Sequence, residues 1–240
     1  MTLLFRTASF LLFLGLFGQC QSGATEENKT TEQVLVDTVK QTLTAVPFSP
    51  PPPPRLPDYD TTQWTDISFL DTSIILDLRY ATTNNFVEEQ MYDCPRCFLR
   101  PEAARSIARI HQQLQQEGLG LKMFDCYRPR PIQWKLWNKV PDKRYVSDPR
   151  KGSMHNRGAA VDLTLVDVNG QQLDMGTTYD FFGPEAWSTY TDLPDSVLAH
   201  RLKLKEIMEA EGFKGIRTEW WHFSFPGKGF ALSDMLWNCE

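Results

Sequence analysis

The chain has 240 residues, of which 41% are hydrophobic and 23% are charged, and its formal net charge at pH 7 is −5. This length is enough for one domain with a sizeable core and additional segments. The mildly acidic balance excludes the basic surface expected of a nucleic-acid-binding protein, so a ligand must be recognised by a local group of residues.

Residues 1–20 are predicted to be a signal segment. Arg6 supplies a positive charge, and the apolar run over residues 8–17 is too short to span a bilayer as a stable anchor. Two processing routes stay open. One is cleavage at the small residues 22–24, and the other is lipidation of Cys20, whose preceding residues resemble a lipoprotein box. Either route predicts export to the periplasm or cell envelope, and the second adds a membrane tether.

Residues 21–58 are predicted to be an exposed spacer. They begin with a polar stretch and contain a run of five prolines, residues 50–54, which must be extended polyproline II structure. If Cys20 is lipidated, this spacer holds the following domain away from the membrane. Residues 59–240 then form the folded domain, and no feature of the sequence implies a protein partner.

The folded domain contains strands and helices without a regular βαβ order. Residues 100–117 are predicted to form an amphipathic helix, because Ile107, Ile110 and Leu114 share a face and Gly118 follows. The other predicted elements are strands over residues 74–80, 121–127 and 159–165, a strand-like segment over 218–225, and helices over 131–137 and 194–211. This arrangement predicts an α+β domain.

Four cysteines remain after the signal segment. An even number in an exported chain predicts disulfides, and four cysteines allow three pairings. Cys94 and Cys97 also form a CxxC motif of the redox or zinc-binding type, but the chain has no second CxxC, which favours a structural bridge. Cys97 and Cys126 flank the predicted helix 100–117, so we expect these two to pair and Cys94 to pair with Cys239.

The first group of chemically notable residues surrounds a turn. Asn156, Arg157 and Gly158 are predicted to form it, because Asn and Gly tolerate positive φ. The buried strand that follows contains Asp162, and a carboxylate in such a strand is costly unless it is paired or bound to a metal. The turn can fold His155 back beside this carboxylate.

The second group lies in the segment 218–225, which contains Glu219 and His222. Two histidines, one aspartate and a spare glutamate are what a catalytic zinc site requires: three ligands, an open position and a base. We therefore predict one Zn²⁺ per chain, bound by His155, Asp162 and His222. Residues three apart on a regular strand face opposite ways, so a bulge or tight turn is predicted between Glu219 and His222.

The two remaining histidines lie in predicted helices. His111 belongs to the helix over residues 100–117 and His200 to the helix over residues 194–211. Both are expected to contribute to packing or the surface, and neither is assigned any chemistry.

These residues belong to longer motifs that resemble the D-alanyl-D-alanine dipeptidase family. The resemblance spans roughly residues 64–225 and keeps the motifs in family order. It is carried by Ser153-x-His155-x-x-Gly158-x-Ala160-x-Asp162, by Glu219-Trp220-Trp221-His222, by Asp77-Leu78-Arg79-Tyr80-Ala81-Thr82-Thr83-Asn84-Asn85-Phe86, and by Asp125-Cys126-Tyr127-Arg128-Pro129.

The resemblance implies a fold and roles for individual residues. It implies a small antiparallel sheet that carries the zinc and is packed by helices, the hedgehog/D-Ala-D-Ala peptidase-like arrangement. It makes Glu219 the general base and Arg128 the group that stabilises the oxyanion. It places Tyr80, Ser153 and Asp180 near the free amino terminus of the substrate.

The activity implied is zinc-dependent hydrolysis of D-alanyl-D-alanine or a similar small D-containing dipeptide, with the metal activating the water. Two alternatives stay open. One is a carboxypeptidase that trims peptidoglycan stem peptides, and the other is a zinc-bearing binding module without catalysis. The presence of both Glu219 and Arg128 argues against the binding module.

Overall fold

A computed structural model of the chain describes residues 56–140, 146–227 and 229–239. The predicted signal segment and nearly all of the predicted spacer therefore lie outside the described residues. Within the described ranges, no helix has both the length and the apolar character needed to cross a membrane.

Seven strands and three α-helices make up the described domain. The strands are β1 (Thr65–Asp66), β2 (Ile75–Leu76), β3 (Phe98–Leu99), β4 (Leu119–Asp125), β5 (Ala160–Asp167), β6 (Lys214–Gly215) and β7 (His222–Ser224). The helices are α1 (Pro101–Gln115), α2 (Arg130–Lys139) and α3 (Asp195–Ala210). The strands predicted over residues 121–127 and 159–165 and all three predicted helices thus have counterparts within about two residues of the expected ends.

Five strands form one sheet in the order β2-β4-β5-β7-β6, and β1 pairs with β3 separately. The α+β fold is confirmed, and β4, β5, β7 and β6 are antiparallel to their neighbours as expected. The pair β2–β4 departs from the expected antiparallel sheet, because it is parallel. The reason is the connection: the chain passes through α1 between these strands, and such a crossover permits parallel pairing.

Helix α1 covers one face of this sheet through the predicted apolar stripe. Ile107, Ile110 and Leu114 are fully buried. Pro101 occupies the first turn, where its missing N–H costs nothing, and Gly118 adopts a φ of +72° just after the helix. The spacing of apolar residues therefore gave the correct helix and the correct buried face.

The strand predicted over residues 74–80 is much shorter than expected. Only Ile75–Leu76 pairs as a strand, and Arg79–Ala81 forms a 3₁₀ turn. Thr82 Oγ1 and Asn85 Nδ2 both donate hydrogen bonds to the Arg79 carbonyl, at 3.0 and 3.2 Å. Such local side-chain bonds compete with strand pairing. The resulting turn directs Tyr80 into the interior.

Both predicted disulfides are present. Cys97 pairs with Cys126, and Cys94 pairs with Cys239. The first bridge joins the residue before β3 to the residue after β4, and the second fastens the C-terminal segment to Cys94, three residues earlier in the chain than Cys97.

His111 is buried and takes part in a hydrogen-bond network that resembles a hydrolytic triad only in composition. Its Nδ1 accepts the Leu121 N–H at 3.1 Å, so the proton is on Nε2, which faces Ser73 Oγ at 2.9 Å. Ser73 Oγ in turn donates to Asp71. Because Nε2 already carries a proton, this histidine cannot accept one from the serine. The network instead ties α1 to β4, and the predicted packing role is confirmed.

This network predicts a pH-dependent contribution to stability. Burial lowers the pKa of His111 below its usual 6.5, so the unfolded chain takes up this proton at a higher pH than the native chain does. The free energy of unfolding of the wild type should therefore fall more steeply than that of His111→Gln as the pH drops from about 7 to about 5, by less than about 1.4 kcal/mol per pH unit. Urea unfolding of both proteins measures the difference, and parallel curves would contradict the assignment.

Candidate active site and metal centre

One cavity of about 520 Å³ opens beside the sheet. All eight residues to which the sequence assigned chemistry line it: Tyr80, Arg128, Ser153, His155, Asp162, Asp180, Glu219 and His222. These residues come from six separate segments of the chain. Folding therefore gathers every predicted site residue around one space.

The turn and strand around Asp162 are built as the sequence predicted. His155–Arg157 forms a 3₁₀ turn that ends at Gly158, whose φ is +68°. A side chain at Gly158 would also collide with the Trp64 ring, because a Cβ atom there would lie 2.3 Å from it. The turn brings His155 back to β5, where Asp162 is paired across the sheet with His222 of β7.

His155, Asp162 and His222 present three ligand atoms to one point. His155 Nε2 lies 3.1 Å from His222 Nδ1 and 3.3 Å from Asp162 Oδ1, and His222 Nδ1 lies 2.9 Å from Asp162 Oδ1. Three ligands about 2.0–2.1 Å from a tetrahedral ion lie roughly 3.3 Å from each other. The spacing and the chemistry of this cluster therefore fit a divalent metal ion.

The second polar atom of each of these three side chains also has a hydrogen-bond partner. His155 Nδ1 donates to the Cys126 carbonyl at 2.7 Å, and His222 Nε2 donates to Ser224 Oγ at 3.0 Å. The Tyr179 hydroxyl donates to the second oxygen of Asp162 at 3.1 Å. Such bonds fix the histidine tautomers and orient the ligand atoms. Sequence reasoning missed all three partners.

The charges of Asp162 and His155 shift each other's pKa values. Burial alone would raise the pKa of Asp162, but the adjacent His155 and His222 hold it below its usual range. Burial likewise opposes protonation of His155, yet the Asp162 carboxylate outweighs burial and raises the pKa of His155. The carboxylate therefore remains ionised and attracts positive charge to the point where the three ligand atoms meet.

Glu219 directly precedes a turn at Trp220–Trp221 and is not part of a strand. The predicted strand over residues 218–225 is wrong in its first half, because pairing begins at His222. The Trp221 carbonyl still accepts the Leu163 N–H of β5 at 3.1 Å, but the backbone then leaves the sheet, because the Trp220 N–H reaches the Ala186 carbonyl at 3.0 Å. The predicted irregularity is thus present, and it lets Glu219 and His222 line the same cavity.

The environment of Glu219 suits a proton acceptor that also returns its proton. Burial raises the pKa of Glu219 above the usual value for a glutamate, with the nearby Asp162 carboxylate adding to the effect and His222 opposing it. A general base works best when its pKa lies near the working pH. Position and environment both agree with the role that the sequence assigned.

Arg128 is fixed by a buried carboxylate. Its Nε and Nη2 donate to Asp125 Oδ2 at 3.0 and 2.6 Å, and its Nη1 donates to Gln133 Oε1 at 3.1 Å. Asp125 is fully buried and also accepts the Tyr92 hydroxyl at 2.9 Å. The guanidinium stacks over the Tyr80 ring, 4.8 Å from its centre. Sequence reasoning missed Asp125, although its position at a strand end, three residues before Arg128, was a usable signal.

Tyr80 and Asp180 are in direct contact, and Ser153 lines the same cavity without a hydrogen bond to either of them. The Tyr80 hydroxyl donates to Asp180 Oδ2 at 3.1 Å, and Asp180 has a φ of +58°, which is uncommon for a residue with a side chain. Burial raises the pKa of Asp180 well above its usual value. Ser153 lines the cavity but hydrogen-bonds to Asn156 Oδ1 through its N–H and its hydroxyl, at 2.8 and 3.1 Å. It therefore caps the turn that carries His155.

The two disulfides allow a matched test of how the ligands are held. The Cys97–Cys126 bridge anchors the residue whose carbonyl orients His155, whereas Cys94–Cys239 fastens the C-terminal segment. Replacing the first pair by serine should weaken metal binding by about 10–100-fold, as loss of an orienting contact typically does. Replacing the second pair should lower stability but leave metal affinity unchanged. Chelator competition measures affinity, and equal effects of the two double variants would contradict this role.

Comparison with known proteins agrees with the geometry. A family model described as D-ala-D-ala dipeptidase matches residues 60–238. A D-alanyl-D-alanine dipeptidase of Escherichia coli K12 is 38% identical over 167 residues, which are 70% of this chain and 86% of the relative. Proteins of the same name from Streptomyces coelicolor and Enterococcus faecium are 31% and 30% identical over 186 and 168 residues, covering 66% and 61% of this chain and 91% and 83% of each relative. The chain belongs to the D-Ala-D-Ala dipeptidase family of metallopeptidases.

Proposed function

We propose that this protein is a zinc-dependent dipeptidase that hydrolyses D-alanyl-D-alanine or a similar small D-containing dipeptide. The main support for this proposal is that the His155–Asp162–His222 cluster and the Tyr80–Asp180 pair line the same cavity. A buried carboxylate with a hydroxyl beside it suits an ammonium group. A substrate whose free amino terminus lies close to the scissile bond fits this arrangement.

Zinc is the metal that the ligand set favours. Two imidazole nitrogens and one carboxylate oxygen are typical of catalytic zinc sites, which keep a further position open. When bound, the ion supplies a Lewis acid that polarises oxygen ligands and lowers the pKa of water.

The remaining steps belong to side chains of this chain. Glu219 accepts the proton of the attacking water and delivers it to the departing amine, which leaves poorly unless it is protonated. Arg128, held by Asp125, donates hydrogen bonds to the carbonyl oxygen as negative charge develops on it. Asp180 and Tyr80 bind the ammonium group and so fix the position of the peptide bond.

Export is part of the proposal. All four cysteines in the described part of the chain are paired as disulfides, which is typical of proteins that function outside a reducing cytosol. We propose that residues 1–20 direct this export to the periplasm or cell envelope and that Cys20 is either removed or lipidated.

The metal assignment predicts that each ligand is required for binding. His155→Ala, Asp162→Ala and His222→Ala should each lose zinc and activity together, because each variant leaves only two ligands. His200→Ala is the control, since His200 hydrogen-bonds to the Asp174 carbonyl outside the cavity and should keep one zinc per chain. Metal analysis of the purified variants tests this, and full occupancy in any ligand variant would remove that residue from the set.

Glu219→Gln should retain zinc but lose catalysis. Glutamine keeps the size and polarity of the side chain yet cannot accept a proton from water or return it to the amine. General acid–base catalysis contributes about 10²–10⁴-fold, and kcat should fall by at least that factor. Zinc content and the kinetics of D-Ala-D-Ala hydrolysis are the two measurements. A variant within tenfold of the wild type would falsify the assignment of Glu219 as the base.

A substrate panel tests the proposed reaction itself. The zinc-loaded enzyme should cleave D-Ala-D-Ala but neither N-acetyl-D-Ala-D-Ala nor a pentapeptide that ends in D-Ala-D-Ala, because both lack an ammonium group beside the scissile bond. The kcat/KM values for these three compounds and for the L,D and L,L dipeptides provide the comparison. Similar values for the free and acetylated dipeptides would overturn the ammonium site, and efficient cleavage of the pentapeptide would establish the carboxypeptidase alternative.

A further inference from the structure

The cavity changes from polar to aromatic beside the Tyr80–Asp180 pair. The Phe86 ring packs edge-on against Tyr80 and Phe182, with ring centres 6.2 and 5.1 Å apart. Phe181 and Phe182 follow Asp180 directly in the chain, and all three phenylalanines line the cavity. We call Phe86, Phe181 and Phe182 the aromatic wall.

The aromatic wall remains partly open to solvent. Phe181 and Phe182 are 41% and 43% exposed, and none of the steps assigned above uses them. Gly183 follows them, and the Phe181 ring packs over it, because a Cβ atom at this position would lie 2.5 Å from the ring. Single exposed apolar residues are ordinary, but contiguous ones that rim a cavity mark a binding surface.

We propose that the aromatic wall is a subsite for the side chain of the substrate's N-terminal residue, and that it selects apolar side chains larger than methyl. This proposal rests on the proposed function, because the ammonium group at Tyr80 and Asp180 sets the position of the substrate. The α-carbon is one bond from the ammonium nitrogen, so its side chain begins beside Asp180, where the wall starts. A methyl group leaves most of the wall in water, whereas a leucine side chain covers it.

The size of the preference follows from apolar burial. Apolar pockets discriminate between side chains that differ by one methylene by about 10–200-fold. Leucine exceeds alanine by three carbon atoms, but the wall is partly open to solvent and buries them incompletely. We therefore expect D-Leu-D-Ala to be preferred over D-Ala-D-Ala by only about tenfold in total.

The test measures kcat/KM for D-Ala-D-Ala, D-Leu-D-Ala and D-Ala-D-Leu with three zinc-loaded enzymes. The wild type should prefer D-Leu-D-Ala over D-Ala-D-Ala about tenfold, and Phe182→Ala should bring that ratio close to one. Trp134→Ala is the matched control, because Trp134 is 40% exposed, similar to Phe182, but does not line the cavity. It should keep the wild-type ratio, and a thermal melt of each variant checks that folding is preserved.

Three results would overturn the subsite. The first is a wild type that cleaves D-Ala-D-Ala as well as or better than D-Leu-D-Ala. The second is a preference that survives Phe182→Ala. The third is a preference for D-Ala-D-Leu that Phe182→Ala abolishes, which would assign the wall to the C-terminal residue instead. Failure to cleave any of the three dipeptides is a different result, because it rejects the proposed function and the subsite with it.

Discussion

The buried carboxylate of Asp162 is the constraint on which the site depends. It lies in the middle of the sheet and is only 3% exposed, so its negative charge must be compensated by neighbouring groups. His155, His222 and Tyr179 provide that compensation, and each comes from a different segment of the chain. Asp162 therefore contacts three parts of the chain: the turn before β5, strand β7 and the loop before α3.

A second buried carboxylate lies directly across the sheet. Asp125 of β4 pairs with Asp162 of β5, and the register shifts just before it, between Met123 and Asp125. Such a bulge re-aims side chains, and bulges are common beside active sites. Two neighbouring carboxylates would repel each other, but each has its own partners: imidazoles for Asp162 and the Arg128 guanidinium for Asp125. Burial would lower the pKa of Arg128, yet Asp125 raises it well above the usual value. Arg128 therefore stabilises the buried Asp125 carboxylate, in addition to the catalytic role that we propose for it.

The sequence predicted the structure best where the type of a residue and its position together allowed few local conformations. The carboxylate of Asp162 in an apolar strand, with a turn before it, was enough to predict that His155 folds back. Helix α1 followed from apolar periodicity, and the disulfides followed from the positions of Cys97 and Cys126 around it.

The sequence could not locate contacts that depend on long-range packing. The Cys126 carbonyl and the Tyr179 hydroxyl have no motif of their own, and the parallel pairing of β2 depends on how α1 docks. The strand ends were wrong at Tyr80 and Glu219, where the backbone bonds to other groups instead of extending the sheet.

The residues from the end of β4 to Arg128 connect the disulfide to both halves of the site. Asp125 holds Arg128, and the carbonyl of the next residue, Cys126, orients His155. The backbone then bonds on both sides, because the Tyr127 N–H donates to the Phe98 carbonyl at 2.9 Å and the Arg128 N–H donates to the His155 carbonyl at 3.1 Å. A displacement of this short segment would therefore move His155, a proposed metal ligand, together with Arg128, the arginine proposed to bind the oxyanion. The Cys97–Cys126 bridge ties the segment to the residue before β3, so one covalent bond supports both the His155–Asp162–His222 cluster and Arg128.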